Sequence, residues 1–300
     1  MSVEIAVLAD IHSNYVALER CMEFALKRGI RQFLFLGDYV GEFAWPERTM
    51  ELLREYDASY DCLFIRGNKE DYWLGYRDGG ERGWKEYGST TGALYYAYHR
   101  LEDRDLAFFE GLPVSRRLEY GNLPPLLACH GSPGNVKGQL CLSDEETKNA
   151  LLAAGANCVL HGHSHIQGKT VYDGRIALNP GSVGLALKAE GKAQFAILQG
   201  EADGFREELI SLDYDRERVI RELCESGLAE RAPYWCLVTE YLLRGRGGET
   251  DIGHADVLFR AMELCRQKNG SCIWPDIPEA CWEQAAMELL PDLKGMICIK

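Results

Sequence analysis

Three short apolar runs, each ending on a polar step, constrain this chain more than any other feature. Val3-Glu4-Ile5-Ala6-Val7-Leu8-Ala9 stops at Asp10-Ile11-His12, Phe33-Leu34-Phe35-Leu36 at Gly37-Asp38, and Cys62-Leu63-Phe64-Ile65 at Gly67-Asn68. Runs of this length suit fully buried strands. Between the first two, residues 14–28 place Val16, Leu18, Cys21, Met22, Ala25 and Leu26 at helical spacing, and Gly29 closes the segment. Thr49 to Tyr56 reads as a second helix. A β-α-β-α-β order demands a parallel sheet with crossover helices. Ligands of such sheets collect outside the carboxyl ends of the strands, so Asp10, His12, Asp38 and Asn68 are expected along one edge.

Beyond residue 113 the pattern changes to strands with short connections, at 114–119, 125–130, 156–160, 168–172, 175–178, 193–199 and 207–212. Two sheets, part parallel and part antiparallel, follow. After Asp213 only helical segments appear, at 215–226, 233–244, 254–268 and 278–290, separated by Gly245-Arg246-Gly247-Gly248, Asn269-Gly270 and Pro275-Asp276-Ile277-Pro278. Residues 1–212 are expected to form one catalytic domain and 213–300 a helical C-terminal appendage. Residues 71–100 read as a long connection.

Composition narrows the function classes. The chain of 300 residues carries a formal charge of −13, which argues against a generic nucleic-acid or anionic-membrane binder. No apolar run reaches the ~18 residues of a membrane span, and the first residues lack the basic flank of a signal peptide. The eleven cysteines are odd in number and scattered without a C-x-x-C pair, as buried thiols of a reducing compartment would be. The expected location is cytoplasmic.

Further polar steps end later strands: His130-Gly131, and His161-Gly162-His163-Ser164-His165. Histidine and carboxylate donors suit Zn, Fe and Mn, with no thiolate required. The ordered set Asp10-x-His12, Gly37-Asp38, Gly67-Asn68, His130-Gly131 and Gly162-His163-x-His165 resembles the calcineurin-like metallophosphoesterase superfamily. Asp10-Ile11-His12-Ser13-Asn14, His130-Gly131-Ser132-Pro133 and Asn179-Pro180-Gly181-Ser182 are similar to its small bacterial phosphodiesterase branch. The resemblance covers roughly residues 3 to 212.

It implies an α/β fold, a two-sheet αββα sandwich, around two divalent metal ions (Mn, Fe, Zn or Co). Asp10, His12 and His165 would hold the first ion, Asp38 would bridge, and Asn68, His130 and His163 would complete the second. Asp38, Asn68 and His130 are the residues implied as catalytic, and His161 falls outside the pattern. Two ions and two carboxylates leave a positive pocket that favours phosphate, and metal coordination lowers the pKa of water to ~7, giving a hydroxide nucleophile. The expected activity is phosphodiester hydrolysis on a small nucleotide-type substrate, a dinucleoside polyphosphate for example. A phosphomonoesterase or protein phosphatase is the enzyme alternative, and a metal-binding scaffold the non-enzyme one.

Lys69 stands where many members of the family carry a histidine, and it either contacts a phosphate or leaving oxygen or caps the loop in solvent. Eight aromatic residues fall between Tyr72 and Tyr98. Lys69, Tyr39, Tyr72 and Trp73 are the candidate substrate-binding residues; the aromatic run, Trp84 included, either walls a nucleobase or packs a long connection against the C-terminal appendage, and Tyr39 and Phe43 either line the pocket or pack likewise. The loop Gly181-Ser182-Val183-Gly184 offers either backbone amides to an anion or a tight turn. The C-terminal helices, with Trp235, Leu237, Tyr241 and Leu242 on one stripe, either close over the site or form a homo-oligomer face. His99 and His254 lack partner motifs and are read as non-ligands.

Overall fold

The computed structural model describes residues 3–41, 43–140, 145–201, 204–246 and 252–299, apart from the side chain at 146. The expected loop glycines Gly247 and Gly248, and Cys141, lie outside the described residues. In chain order the elements are β1 (Glu4–Leu8), α1 (Tyr15–Lys27), β2 (Gln32–Phe35), α2 (Pro46–Ser59), β3 (Asp61–Phe64), α3 (Asn68–Arg77), α4 (Gly92–Tyr98) and α5 (Asp103–Gly111). Then follow β4 (Ser115–Leu118), β5 (Leu126–Cys129), α6 (Glu145–Ala153), β6 (Cys158–Leu160), β7 (Gly168–Tyr172), β8 (Arg175–Asn179), β9 (Ala193–Glu201) and β10 (Gly204–Leu212). The chain continues through α7 (Arg216–Glu225), α8 (Leu228–Arg231), α9 (Pro233–Leu243), α10 (His254–Asn269) and α11 (Glu279–Leu289).

Among the described residues the strands form two five-stranded sheets, ordered β10-β9-β1-β2-β3 and β4-β5-β6-β8-β7. Strands β1, β2 and β3 run parallel, and β9 and β10 extend their sheet antiparallel. In the second sheet β5, β6 and β8 run parallel, flanked by antiparallel β4 and β7.

The layering follows from side-chain alternation. Ile5, Val7, Leu34 and Leu36 turn toward Leu126, Ala128, Leu160 and Leu178 of the second sheet. Their neighbours Ala6, Leu8, Phe33 and Phe35 turn outward onto Leu18, Cys21 and Met22 of α1 and Met50 and Leu53 of α2. Leu151 of α6 covers Cys129, Val159 and Ala177 on the far face. The result is an αββα sandwich with helices at its C-terminus.

Residues 71–100 depart from the expected long connection, since they carry most of α3 and all of α4, with α5 following. Helix α3 starts at the polar step itself: the Gly67 N–H donates to the Glu70 carboxylate three residues on, at 2.7 Å. The same device opens α5, where the Glu102 N–H donates to Asp105 at 2.9 Å.

The C-terminal helices pack onto the sandwich through a continuous core. Val219, Leu223, Leu237, Tyr241 and Trp282 share it with Tyr15, Val16 and Tyr96. At its edge the Tyr15 hydroxyl donates to Glu222 at 2.6 Å and accepts from Arg48 and Arg218, each at 2.8 Å. No described helix is long and apolar enough to cross a membrane, and every described cysteine is free.

Candidate metal centre

The polar steps at the strand ends converge. Asp10 and His12 follow β1, Asp38 follows β2, Asn68 opens α3, His130 follows β5, and His163 and His165 follow β6. Asp10, His12 and His165 present donor atoms close enough to share one cation, and so do Asp10, Asp38 and His130. Asp38 faces both groups: its Oδ2 lies 3.5 Å from His12 Nε2 and its Oδ1 3.5 Å from His130 Nε2. His163 approaches by its ring, 5.2 Å from that of His130, and by its N–H, which donates to the Asp10 carboxylate at 3.1 and 3.2 Å.

The hydrogen bonds behind the rings decide which nitrogen faces inward. His130 Nδ1–H donates to Leu36 O and His165 Nδ1–H to Leu185 O, each at 2.8 Å. Both Nε2 atoms are thereby left as lone-pair donors. His130 Nε2 then meets the Asn68 Oδ1 at 2.9 Å, and His165 Nε2 meets His12 Nε2 at 3.1 Å. With that tautomer the Asn68 oxygen and the His130 nitrogen are two electron-rich atoms facing each other across a hydrogen-bond distance, in a buried site. A cation placed among them turns repulsion into coordination, so the residues present fit divalent metal.

Electrostatics agree. Burial acts to raise the Asp10 carboxyl, yet the rings of His165, His130 and His12 hold it far below the usual carboxylate range. Burial disfavours charge on His130 and His165, but Asp10 and Asp38 overcome it and raise both. His163 goes the other way, to about 4, through burial and the neighbouring His130. Burial likewise brings His161 down to about 4. That ring lies one residue after β6, 3.4 Å from the Asn179 amide, and outside both cation groups.

The backbone carries strain here. Asp10, His12, Asp38, His163 and His165 all have φ between 52° and 67°, the left-handed region, which costs on the order of 1–3 kcal/mol per residue and persists where surrounding structure enforces it. The enforcing bonds are visible: Asp10 N–H to Gly37 O, and His12 N–H to Asp38 O. Of the glycines beside the ligands, Gly37 turns the chain with φ 95°, whereas Gly67 and Gly162 serve close approach. Gly67 has φ −99°, and a Cβ there would come 2.3 Å from Asp38 Oδ1; one on Gly162 would come 2.7 Å from Asp10 Oδ2.

Glu70 ties the loops together. Its buried carboxylate accepts the N–H groups of Asp38 and Tyr39 at 2.9 Å and of Gly67 at 2.7 Å. Burial and the Asp38 carboxylate push this carboxyl up to about 7.

Two of the expected substrate-binding residues are corrected. Tyr39 is fully buried, its hydroxyl donating to Ile65 O at 2.6 Å, so it braces β3 and faces no solvent. Trp73 is also fully buried, edge-on to Trp84 at 5.8 Å. The turn of α3 sends Trp73 into the core, while Lys69 and Tyr72 border open space. The Val183 and Gly184 amides are not offered to an anion either, because they donate to Ala9 O and Asp10 O.

A cavity of about 540 Å³ stands over the ligand loops and Lys69. Its opposite wall comes from α9 and α10, through Trp235, Thr239, His254 and Leu258. His254 stacks on Trp235 at 4.3 Å, and its Nε2 lies 2.9 Å from Thr239 Oγ1. Its place in this wall was hidden from the sequence, where it stands without a partner motif. The helical stripe of α9 was the one available signal.

Comparison with known proteins is consistent with this geometry. The model of the calcineurin-like phosphoesterase superfamily domain matches residues 3–203. A protein of Methanocaldococcus jannaschii, named only as uncharacterised, is 28% identical over 259 residues, 81% of this chain and 98% of its own. Among solved structures, a metallophosphoesterase from Sphaerobacter thermophilus aligns with TM-score 0.59 and 23% identity, over 77% of this chain and 99% of that one. A hypothetical protein from Pyrococcus horikoshii aligns with TM-score 0.66 and 21% identity, over 80% and 97%. At these identities the structures speak for the fold.

Proposed function

Since the chain belongs to the calcineurin-like phosphoesterase superfamily and is a metallophosphoesterase, we propose that it hydrolyses a small phosphodiester of nucleotide type, a dinucleoside polyphosphate for example. The observation that carries the metal assignment is the convergence of two three-residue donor groups that share Asp10, with the Asn68 oxygen facing His130 Nε2 beside them. In this reading Asp10, His12 and His165 would hold one ion, Asn68, His130 and His163 the other, and Asp38 would serve both. Two such ions would polarise the phosphoryl oxygens and lower the pKa of water. The metal is Mn, Fe, Zn or Co.

The chain's own residues do the rest. Leu36 O and Leu185 O accept from Nδ1 of His130 and His165 and so orient each Nε2 inward, as the nitrogen a metal would take. Glu70 holds the Asp38 and Asn68 loops in register. Lys69, in place of the family histidine, places its ammonium beside the cavity, where it stabilises the charge that develops on a leaving phosphate. A new P–O bond forms from water, the P–O bond to the leaving group breaks, and the water's proton leaves with it or to solvent. The helical wall over the cavity favours a small substrate over a phosphoprotein surface. We read residues 1–212 as the catalytic domain and 213–300 as the appendage that supplies this wall, in a cytoplasmic protein.

The test is a substrate panel with Mn, Fe, Zn, Co and Mg supplied separately. Hydrolysis of bis(p-nitrophenyl) phosphate and of dinucleoside polyphosphates well above that of p-nitrophenyl phosphate is expected. Asp38→Asn should lower metal content at both sites. A preference for the monoester would replace this reading with a phosphomonoesterase. Two bound ions without any turnover would leave a scaffold.

A further inference from the structure

The metal cavity continues past Lys69. A second cleft of about 290 Å³ opens there and shares Lys69, Trp235 and Leu258 with the first as a common wall. Its surface is aromatic and cationic. Tyr72 of α3, Trp84, Trp235 of α9 and Trp274 line it, with Lys137 and Glu81 beside them. The Lys69 ammonium lies 5.6 Å from the Tyr72 ring centroid and 5.9 Å from that of Trp235, and the Lys137 ammonium lies 4.8 Å from Tyr72. Trp84 is set rigidly, stacked on Tyr76 at 4.3 Å and edge-on to Trp73. Trp274 stands at the rim, 44% exposed.

We infer that this cleft receives the base of the nucleotide leaving group, whose adjoining phosphate lies at Lys69; the inference rests on the phosphodiesterase reading above. Flat aromatic walls suit a flat π-system, and stacking on them tolerates any base. The two ammonium groups are a local reversal on a protein of charge −13; Lys69 lines both cavities and Lys137 the second cleft, so a phosphate joining the two would meet Lys69 first. The Glu81 carboxylate accepts from an exocyclic amine, which adenine, guanine and cytosine carry and uracil does not. The cleft sits at the lower edge of the roughly 300–1,000 Å³ typical of small-molecule sites. That size suits one base, with the phosphates left in the larger cavity. The aromatic run between Tyr72 and Tyr98 thus acts in part as support: Trp73 and Tyr76 fix Trp84, and Tyr72 forms the surface.

The experiment measures binding of AMP and of ribose 5-phosphate to the metal-loaded full chain by calorimetry. The two probes share sugar and phosphate and differ by the base. The wild type should bind AMP about 5- to 150-fold more tightly, the range one base stack is worth. Trp274→Ala and Tyr72→Leu should each narrow that ratio, with ribose 5-phosphate reporting the integrity of the metal end in the same variant. Equal affinities in the wild type, or a ratio unchanged in both variants, would overturn the inference. Hydrolysis of bis(p-nitrophenyl) phosphate by the wild type separates the two readings. Hydrolysis without an AMP preference removes the base cleft and keeps the hydrolase. An AMP preference without hydrolysis keeps the cleft and removes the hydrolase.

Discussion

Replacing Glu70 by glutamine tests whether one buried carboxylate holds the metal loops in place. The side chain is fully buried and accepts three backbone N–H groups, two on Oε2 from Asp38 and Gly67 and one on Oε1 from Tyr39. Glutamine has a single acceptor oxygen. Its best placement puts that oxygen where Oε2 was and keeps two bonds. The amide nitrogen then faces the Tyr39 N–H, donor against donor. One charge-assisted bond is lost and a buried donor is left unsatisfied, which costs about 2–3 kcal/mol. At about 2 °C per kcal/mol for a chain of this size, the melting temperature should fall by about 4–6 °C. Glu70→Ala removes all three acceptors and should cost about twice as much. Because Asp38 sits on the displaced loop, metal content should drop with stability in both variants. The assays are a thermal scan with saturating Mn, elemental analysis after gel filtration, and kcat/KM on a small diester. A Gln variant that melts like the wild type and keeps two metal ions would refute the bracing role.

Four further outcomes are expected. Tyr39→Phe should lower stability by about 1–3 kcal/mol, since the Ile65 carbonyl and amide lose their buried partner, while KM stays constant; a raised KM at unchanged melting temperature would return Tyr39 to the substrate. Trp73→Ala should cost about 3–5 kcal/mol as a core truncation, read by urea unfolding, and a loss below 1 kcal/mol would contradict its burial. Burial pushes the thiols of Cys21, Cys129 and Cys158 up to about 12 from 9.0. The fold retains these protons longer than the unfolded chain, so their contribution is intact below pH 9 and is lost as pH rises toward 12, at about 1.4 kcal/mol per unit per thiol; urea midpoints constant from pH 9 to 10.5 would oppose this. Finally, the raised affinity of His130 and His165 for protons in the metal-free site makes protons compete with metal, so dialysis at pH 5 should strip ions that survive dialysis at pH 8, as elemental analysis would show.

Much of this architecture is readable locally. The apolar runs ending at Asp10 and Asp38 are buried on both faces, one under helices and one against the second sheet, and such runs announce themselves; the run before Asn68 lies at the sheet edge and is only half-buried at Cys62 and Leu63. The metal residues are readable because each ends a strand in a fixed order. The orientation of aromatic side chains is not. Tyr39 stands beside Asp38 and Trp73 five residues after Asn68, yet a left-handed residue at Asp38 and a helix opening at Asn68 turn both inward. The start of α3 was obscured because Gly67 does the capping, with Glu70 serving two other loops as well. Trp235 reaches the cavity from a helical core that it shares with Tyr15 and Val16 of α1, more than two hundred residues upstream, and His254 reaches it by resting on Trp235; no local pattern encodes that distance.

The hydroxyl of Tyr15 ties the cavity wall to the ligand loops. Tyr15 opens α1 immediately after the Asp10–His12 turn, and its hydroxyl is shared by Arg48 of α2 and by Arg218 and Glu222 of α7. The continuous core from Tyr15 through Val219 to Tyr241 fastens α9 to the same helix. Tyr15 is thus a shared foundation: a substitution that loosens it would disturb the Asp10–His12 turn and the α9 wall of the cavity together, although it touches neither ligand nor cavity.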